Sequence, residues 1–337
     1  MRKYFWPLFI KIFLVFIVAI VIWQKNERKE DKYQQIKERL QAVEDSLRQQ
    51  REGYFEYYFL KRINLPDSLY FADSLIVLDR VSKARLFERV VYLSRRELLL
   101  IMNKRMQEWR PLIEPVLTAK KFHPDFFYMA IAESFLDPAA VSSAQAKGMW
   151  QFRRATARRY GLKVNWWIDE RFDPVLSTEA AIRYLRYLGD KYNNNWPLVA
   201  AAYNMGESGL DRYIKRNGHD KYFGMRLPAE TSVYFFNILA IKFIVEQTNW
   251  LEYFSASGSH LVFTECYEVE VLLPQVTALR DVVSGFGNYY LFKLLNGKYR
   301  RSVLPAGENT IRVPSYLFDD FLSFVQKKGW QYSILPS

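Results

Sequence analysis

The stretch from Ile131 to Leu162, IAESFLDPAAVSSAQAKGMWQFRRATARRYGL, constrains this chain more than any other. It follows a segment whose spacing predicts a helix opening at His123-Pro124-Asp125, with proline in the first turn and an acid near the positive helix end. Phe126, Ala130 and Glu133 share one stripe, and Phe127, Ile131 and Ser134 the next. Asp137-Pro138 disfavours helical dihedrals and ends the element. Glu133 therefore falls in the last turn, among apolar residues. Desolvation and the negative helix end both disfavour its carboxylate, so its pKa is expected to rise. A carboxyl that is protonated near neutral pH can donate to a leaving-group oxygen. An ordinary surface glutamate would show the same spacing, and the helix alone leaves both readings open. The aromatic turn Gly148-Met149-Trp150-Gln151-Phe152 that follows is suited to walling a sugar-binding cleft.

Three further motifs follow in order. They are Asp169-Glu170-Arg171-Phe172-Asp173-Pro174 leading into Ser177-Thr178-Glu179, then Ala201-Ala202-Tyr203-Asn204-Met205-Gly206, then Leu227-Pro228-Ala229-Glu230-Thr231 with Tyr234. Together with Glu133-Ser134, Ser142 and the aromatic turn, this set resembles the lytic murein transglycosylases that carry the soluble-lytic-transglycosylase, goose-lysozyme-like domain. The nearest likeness is to the membrane-bound D type, over roughly Arg110 to Val245. The resemblance implies that Glu133 is the single catalytic acid and base. It further implies substrate contacts from Ser134, Ser142, Met149, Trp150, Gln151, Tyr203, Asn204, Glu230 and Tyr234, with Trp150 on the wall or floor of the cleft. Two positions depart from the family pattern. Gln145 stands where glycine is usual, and Arg153-Arg154 stands where Met-Pro is usual.

Several of these residues also have purely structural readings. Asp169, Glu170 and Asp173 look like helix-start chemistry, and Trp166 and Trp167 like packing. Tyr203 lies between an apolar run and a helix-ending glycine, where it either closes the core or faces the cleft. Asp137, the acid nearest Glu133, reads as a turn residue. A lone acid suffices if the nucleophile belongs to the substrate, whereas ordinary glycosidases need two carboxylates about 5–9.5 Å apart. The resemblance implies such a reaction. Glu133 would protonate the oxygen between N-acetylmuramic acid and N-acetylglucosamine, and its carboxylate would then deprotonate the muramoyl C6 hydroxyl. That hydroxyl would close on C1 to give a 1,6-anhydro product without water. A silent peptidoglycan-binding scaffold and a lysozyme-type hydrolase on the same fold are the rival readings.

The chain has 337 residues, half of them hydrophobic and 17% aromatic, which suits a folded protein with a lysozyme-sized core and accessory parts. A net charge of +12 fits anionic peptidoglycan, but equally a membrane surface or nucleic acid. No basic stripe with a nucleic-acid motif appears, so glycan strands and a membrane are the expected partners and nucleic acid is not. Cys266 is the only cysteine, and the three histidines have no ligand-like spacing, so neither a metal nor a cofactor is expected. Residues 1–24, apolar from Tyr4 to Trp23 apart from Lys11, suit a membrane-spanning signal anchor, since about 20 residues cross a bilayer. A cleaved signal peptide is the competing reading, though no small-residue cleavage site follows. Such an anchor would sit in the cytoplasmic membrane, with the catalytic part in the periplasm. Residues 25–105 read as a helical stalk with approach helices, and 106–254 as a lysozyme-like, mainly α catalytic domain. Residues 255–337 read as a small α+β region whose strand-helix-helix-strand order resembles a degenerate LysM-type glycan-binding module; a plain packing extension fits equally well.

Overall fold

The computed structural model describes residues 63–247 and 266–335. The expected anchor and charged stalk lie outside these residues. Among the described residues no helix is long and apolar enough to cross a membrane. From Asn64 onward the chain forms one compact, mainly helical unit.

An antiparallel hairpin comes first, β1 (Ser68–Phe71) and β2 (Ser74–Val77). Its turn residues Ala72 and Asp73 both take positive φ, 46° and 62°. Asn-Gly is the usual sequence signal for such a turn, and its absence hid the hairpin from a helical reading of this approach segment. The Ala72 N–H donates to Asp125 at 2.8 Å, and the Trp196 indole N–H donates to the Ala72 carbonyl at 3.2 Å. The turn is thereby tied to the start of the Glu133 helix.

Two long helices follow, α1 (Arg80–Leu93) and α2 (Arg96–Ala119). Asp79 caps α1 by accepting from the Ser82 N–H. In α2, Leu99, Met102, Met106, Trp109, Ile113 and Leu117 make a buried stripe at helical spacing. Pro111 and Pro115 lie inside this helix. An interior proline costs about 3 kcal/mol, while each large side chain of the stripe returns about 1.5–3 kcal/mol by burial. Packing therefore outweighs propensity, and the helix runs on.

A 3-10 turn (Pro124–Phe126) leads into α3 (Phe127–Ser134), in which Phe127 to Ile131 are buried. Helix α3 ends earlier than Asp137-Pro138 suggests. Phe135 and Leu136 adopt left-handed backbone, φ 52° and 60°. The orphan carbonyls of Ser134 and Phe135 each accept from the Arg105 guanidinium at 3.3 Å. Four further helices complete this layer: α4 (Arg154–Arg159), α5 (Pro174–Lys191), α6 (Trp196–Met205) and α7 (Glu207–Asn217). The apolar α8 (Ala229–Gln247) packs against α1, α3 and α6 and forms the centre of the core.

The remaining elements are β3 (Cys266–Leu273), β4 (Thr277–Ala278), α9 (Leu279–Val283), α10 (Tyr289–Leu295), β5 (Val303–Leu304), β6 (Gly307–Pro314), α11 (Phe318–Lys327) and β7 (Gln331–Leu335). The antiparallel sheet has the order β6-β3-β7, with Val269 opposite both Ile311 and Ile334. Val269, Val271, Ile311 and Val313 alternate onto the buried face with Phe286, Phe292 and Phe321. Strand, two helices and strand follow in the expected order, and then α11 and β7 add a third strand that the sequence pattern did not mark.

This layer is docked on the helices through one loop. The Asp169 N–H donates to the Lys298 carbonyl at 3.0 Å, and Ile168 bridges to Tyr299. The Arg312 guanidinium donates to Asp173 at 3.0 Å and to Glu268 at 2.6 Å, and Lys298 lies 3.5 Å from the other Asp173 oxygen. At Gly297 the backbones meet closely, because a Cβ there would lie 2.6 Å from the Phe172 carbonyl oxygen.

Candidate active site

Glu133 lies in the last turn of α3, half-buried, and accepts a hydrogen bond from the Tyr234 hydroxyl of α8. Burial pushes its carboxyl up to about 7 from an ordinary 4.5. The Tyr234 hydrogen bond opposes that rise, and the charge of Glu230 adds to it. The sequence-based expectation of a raised pKa thus has its main cause in desolvation. Tyr203, on α6, feels the charge of Glu133 and is itself raised well above the ordinary phenol range, chiefly by burial. Its hydroxyl donates to the Trp150 carbonyl at 2.9 Å, and its ring meets Phe152 at 6.2 Å and Tyr184 at 5.2 Å. Tyr203 therefore closes the core with its ring while lying near enough to Glu133 to feel its charge.

Asn204 and Glu230 sit side by side. The Asn204 amide donates to Glu230 at 3.2 Å and accepts from the Thr231 hydroxyl at 2.7 Å. Glu230 is exposed at the start of α8, where the positive helix end favours an acid. Ser134 acts as a staple, with its hydroxyl donating to the Met149 carbonyl at 2.8 Å and accepting from the Asp137 N–H. Ser142 closes the loop after α3: its hydroxyl accepts from the Ala146 N–H and its own N–H donates to the Ala146 carbonyl. Gln151 folds back so that its side-chain amide donates to the Gly148 carbonyl at 2.8 Å.

Two expectations need correction. Met149 and Trp150 are fully buried, 0% exposed, and so present no side-chain surface to a ligand. The Trp150 indole N–H donates to the Thr178 hydroxyl at 2.8 Å, an arrangement that requires the ring to point inward. What these two residues offer outward is backbone, since their carbonyls hold Ser134 and Tyr203. Trp166, read from sequence as packing, is 66% exposed.

The loop from Gln145 to Phe152 depends on Arg171. The Arg171 guanidinium donates to the carbonyls of Gln145 and Phe152 and is paired with Asp169 at 2.7 Å. Gly148 has φ 78°, and a Cβ there would lie 1.7 Å from the Arg171 carbonyl oxygen. Only glycine fits. Gln145 has φ 60°, a left-handed conformation that glycine adopts more readily than glutamine. Asp169 and Asp173 cap the elements that follow them, in agreement with the helix-start reading. Asp137 is held by Arg105 at 2.9 Å and by the Ala139 N–H, as a turn residue would be. No second acid bonds to Glu133 among the described residues. No group of three or more potential metal ligands occurs among them either.

Arg105, Arg171 and Thr178 are the supports that residue typing missed. Arg171 and Thr178 stood inside a quoted motif, but nothing in their type marked them as struts beneath the loop.

Known proteins are similar to part of this chain. Residues 118–224 match the transglycosylase SLT domain family. Membrane-bound lytic murein transglycosylase D of Escherichia coli K12 is 37% identical over 124 residues, which is 36% of this chain and 27% of that protein. Peptidoglycan transglycosylase gp16 of Escherichia phage T7 is 39% identical over 83 residues, 24% of this chain and 6% of that protein. The crystal structure of the soluble lytic transglycosylase SLT70 of Escherichia coli aligns with a TM-score of 0.37 at 17% identity, over 53% of this chain and 29% of that one. The chain thus spans about a quarter of the first of these relatives. The chain is thus similar, over residues 118–224, to the transglycosylase SLT domain family, and over 124 residues to part of membrane-bound lytic murein transglycosylase D.

Proposed function

We propose that this protein is a peptidoglycan lytic transglycosylase that cleaves the β-1,4 bond between N-acetylmuramic acid and N-acetylglucosamine and leaves a 1,6-anhydromuramoyl end. One observation carries the reading: the Glu133 carboxyl is held near pKa 7, chiefly by burial, and accepts a hydrogen bond from a phenol. At neutral pH a substantial share of Glu133 carries the proton that the glycosidic oxygen needs. Once that proton is given up, the Tyr234 hydroxyl stabilises the carboxylate by donating to it. The carboxylate is then the base for the C6 hydroxyl, which attacks C1 from within the same sugar. An internal nucleophile supplies the proximity that a second enzyme carboxylate would otherwise provide. Asp137 is engaged instead by Arg105 and the Ala139 N–H, at the turn after the helix.

In this reading Ser142, Gln151, Tyr203, Asn204, Glu230 and Tyr234 border the glycan, and Ser134 positions the loop that carries Ser142 and Gln151. Met149 and Trp150 contribute through their backbone. Residues 106–254 serve as the catalytic domain. Residues 255–337 serve as an α+β region whose β3, α9, α10 and β6 follow the order of a LysM-type glycan-binding module. Residues 1–24 anchor the protein in the cytoplasmic membrane and 25–105 lead from it, with the catalytic part in the periplasm.

The test is product mass on purified sacculi. Anhydromuropeptides support the reading. Products heavier by one water identify a hydrolase, and identical release by wild type and Glu133→Gln identifies a scaffold.

A further inference from the structure

The loop that docks the α+β layer also builds a groove that the Glu133 site does not use. It encloses about 260 Å³. Val141, Lys147, Trp166 and Trp167 come from the catalytic part, and Arg300 and Arg301 from the segment after α10. None of Glu133, Tyr203, Asn204, Glu230 or Tyr234 lines it.

Its chemistry is specific. Trp166 is a large aromatic left two-thirds in solvent, and Arg301 lies over its face at 3.6 Å while donating to the Trp166 carbonyl at 3.3 Å. Arg300 lies over the Phe172 ring at 4.1 Å. Stacking fixes both guanidinium groups in place, and apart from the Arg301 Nε–H on the Trp166 carbonyl their N–H groups can donate to a ligand. Neither arginine pairs with a carboxylate among the described residues, although both are exposed. Lys147 adds a third cation, 3.7 Å from Asp169, whose charge Arg171 already engages. The positive field reaches inward as well. Burial first, and then Arg300, hold the half-buried Lys293 down to about 8. A flat aromatic beside pre-oriented, unpaired guanidiniums suits a ligand with an apolar sugar face and carboxylates at its side.

The geometry points to a second, non-catalytic glycan site in this groove, which takes a muramoyl-peptide unit by stacking its sugar on Trp166 and pairing its carboxylates with Arg300 and Arg301. This rests on the peptidoglycan reading above. The groove needs walls from both parts of the unit, so the docked α+β layer is itself part of the site.

The test uses the full chain carrying Glu133→Gln, so that ligand is not consumed, with a soluble disaccharide-tetrapeptide as probe in calorimetry. Trp166→Ala and, separately, Arg300→Gln/Arg301→Gln are added to that background. Since each arginine–carboxylate bond is worth about 1.5–3 kcal/mol, the arginine pair is expected to weaken binding at least about tenfold. Trp166→Ala should also weaken it, and the probe with amidated carboxylates should bind the unsubstituted groove about tenfold more weakly. The same groove substitutions in an intact Glu133 background should leave anhydro-product release from short glycan fragments unchanged. Unaltered affinity in both groove variants overturns the proposal. So does equal binding of the amidated probe, or equal competition by inorganic phosphate. If groove variants bind normally while wild type still makes anhydro products, the second site alone fails. If no anhydro products form at all, the catalytic reading fails instead.

Discussion

Two carboxyls in this protein, Glu133 and Asp173, are driven in opposite directions. Burial raises Glu133 to about 7, with only a phenol to favour its charged form. Burial would raise Asp173 too, and it is 0% exposed, but the charges of Arg312 and Lys298 and the N–H groups of α5 overcome this and hold it below the usual carboxylate range. Desolvation is common to both; the neighbours differ. An acid surrounded by cations is a structural latch, because it has no reason to take up a proton. An acid beside neutral hydroxyls and another acid can be charged or neutral at the same pH, and that ambivalence is what a proton shuttle requires. The two sites are linked through the chain. Asp173 fixes the loop that carries Arg171, and Arg171 supports the turn whose carbonyls hold Ser134 and Tyr203 beside Glu133.

The contrast can be broken most severely at Glu133. Replacing it with glutamine removes the transferable proton and should lower anhydromuropeptide release by about 10²–10⁴-fold. The same substitution should make the protein more stable at alkaline pH. A group whose folded pKa lies above its unfolded value destabilises the fold as pH rises from 4.5 through about 7. Chemical denaturation at pH 8 should therefore show Glu133→Gln gaining on the order of 3 kcal/mol at most, and no gain below pH 4.5. At the latch, Arg312→Met removes the cation that Asp173 and Glu268 share and leaves Asp173 with Lys298 alone. It should cost about 3–5 kcal/mol, read as a lower denaturation midpoint. Asp173 has the opposite sign of pH dependence: its contribution is complete above its unfolded value and fades as pH falls below about 3.8. Tyr234→Phe removes the bond that favours the carboxylate. Turnover should drop about tenfold, and the alkaline limb of its pH profile should move to higher pH. Glu230→Gln has the smallest effect, moving that limb towards lower pH because one raising charge is lost.

Much of this contrast could be read from the residues. The apolar stripe, the terminal position of Glu133 and the Pro-Asp helix start are local features, and all appear in the structure near their expected places. Asp173 was legible as a helix cap because its neighbours in sequence, Val175 and Leu176, are the groups it caps. Its second role was not, since Arg312 lies 139 residues away and nothing local announces the pairing. The burial of Trp150 and the exposure of Trp166 were illegible for the same reason. A tryptophan in an aromatic motif suggests a sugar platform, yet the Trp150 indole turns inward to a buried Thr178 hydroxyl, while Trp166, which reads as packing, stays exposed with Arg301 over its ring. The hairpin at Ala72-Asp73 escaped because its turn uses residues that seldom adopt positive φ.

The claim on which all of this turns is that the Glu133 carboxyl keeps its proton up to about neutral pH. Selective carbon-13 labelling of glutamate side chains, with Glu133→Gln used to assign the resonance, follows that single titration directly. The account predicts a midpoint near pH 7, moving higher in Tyr234→Phe. A midpoint at the ordinary 4.5, unmoved by Tyr234→Phe, would contradict it.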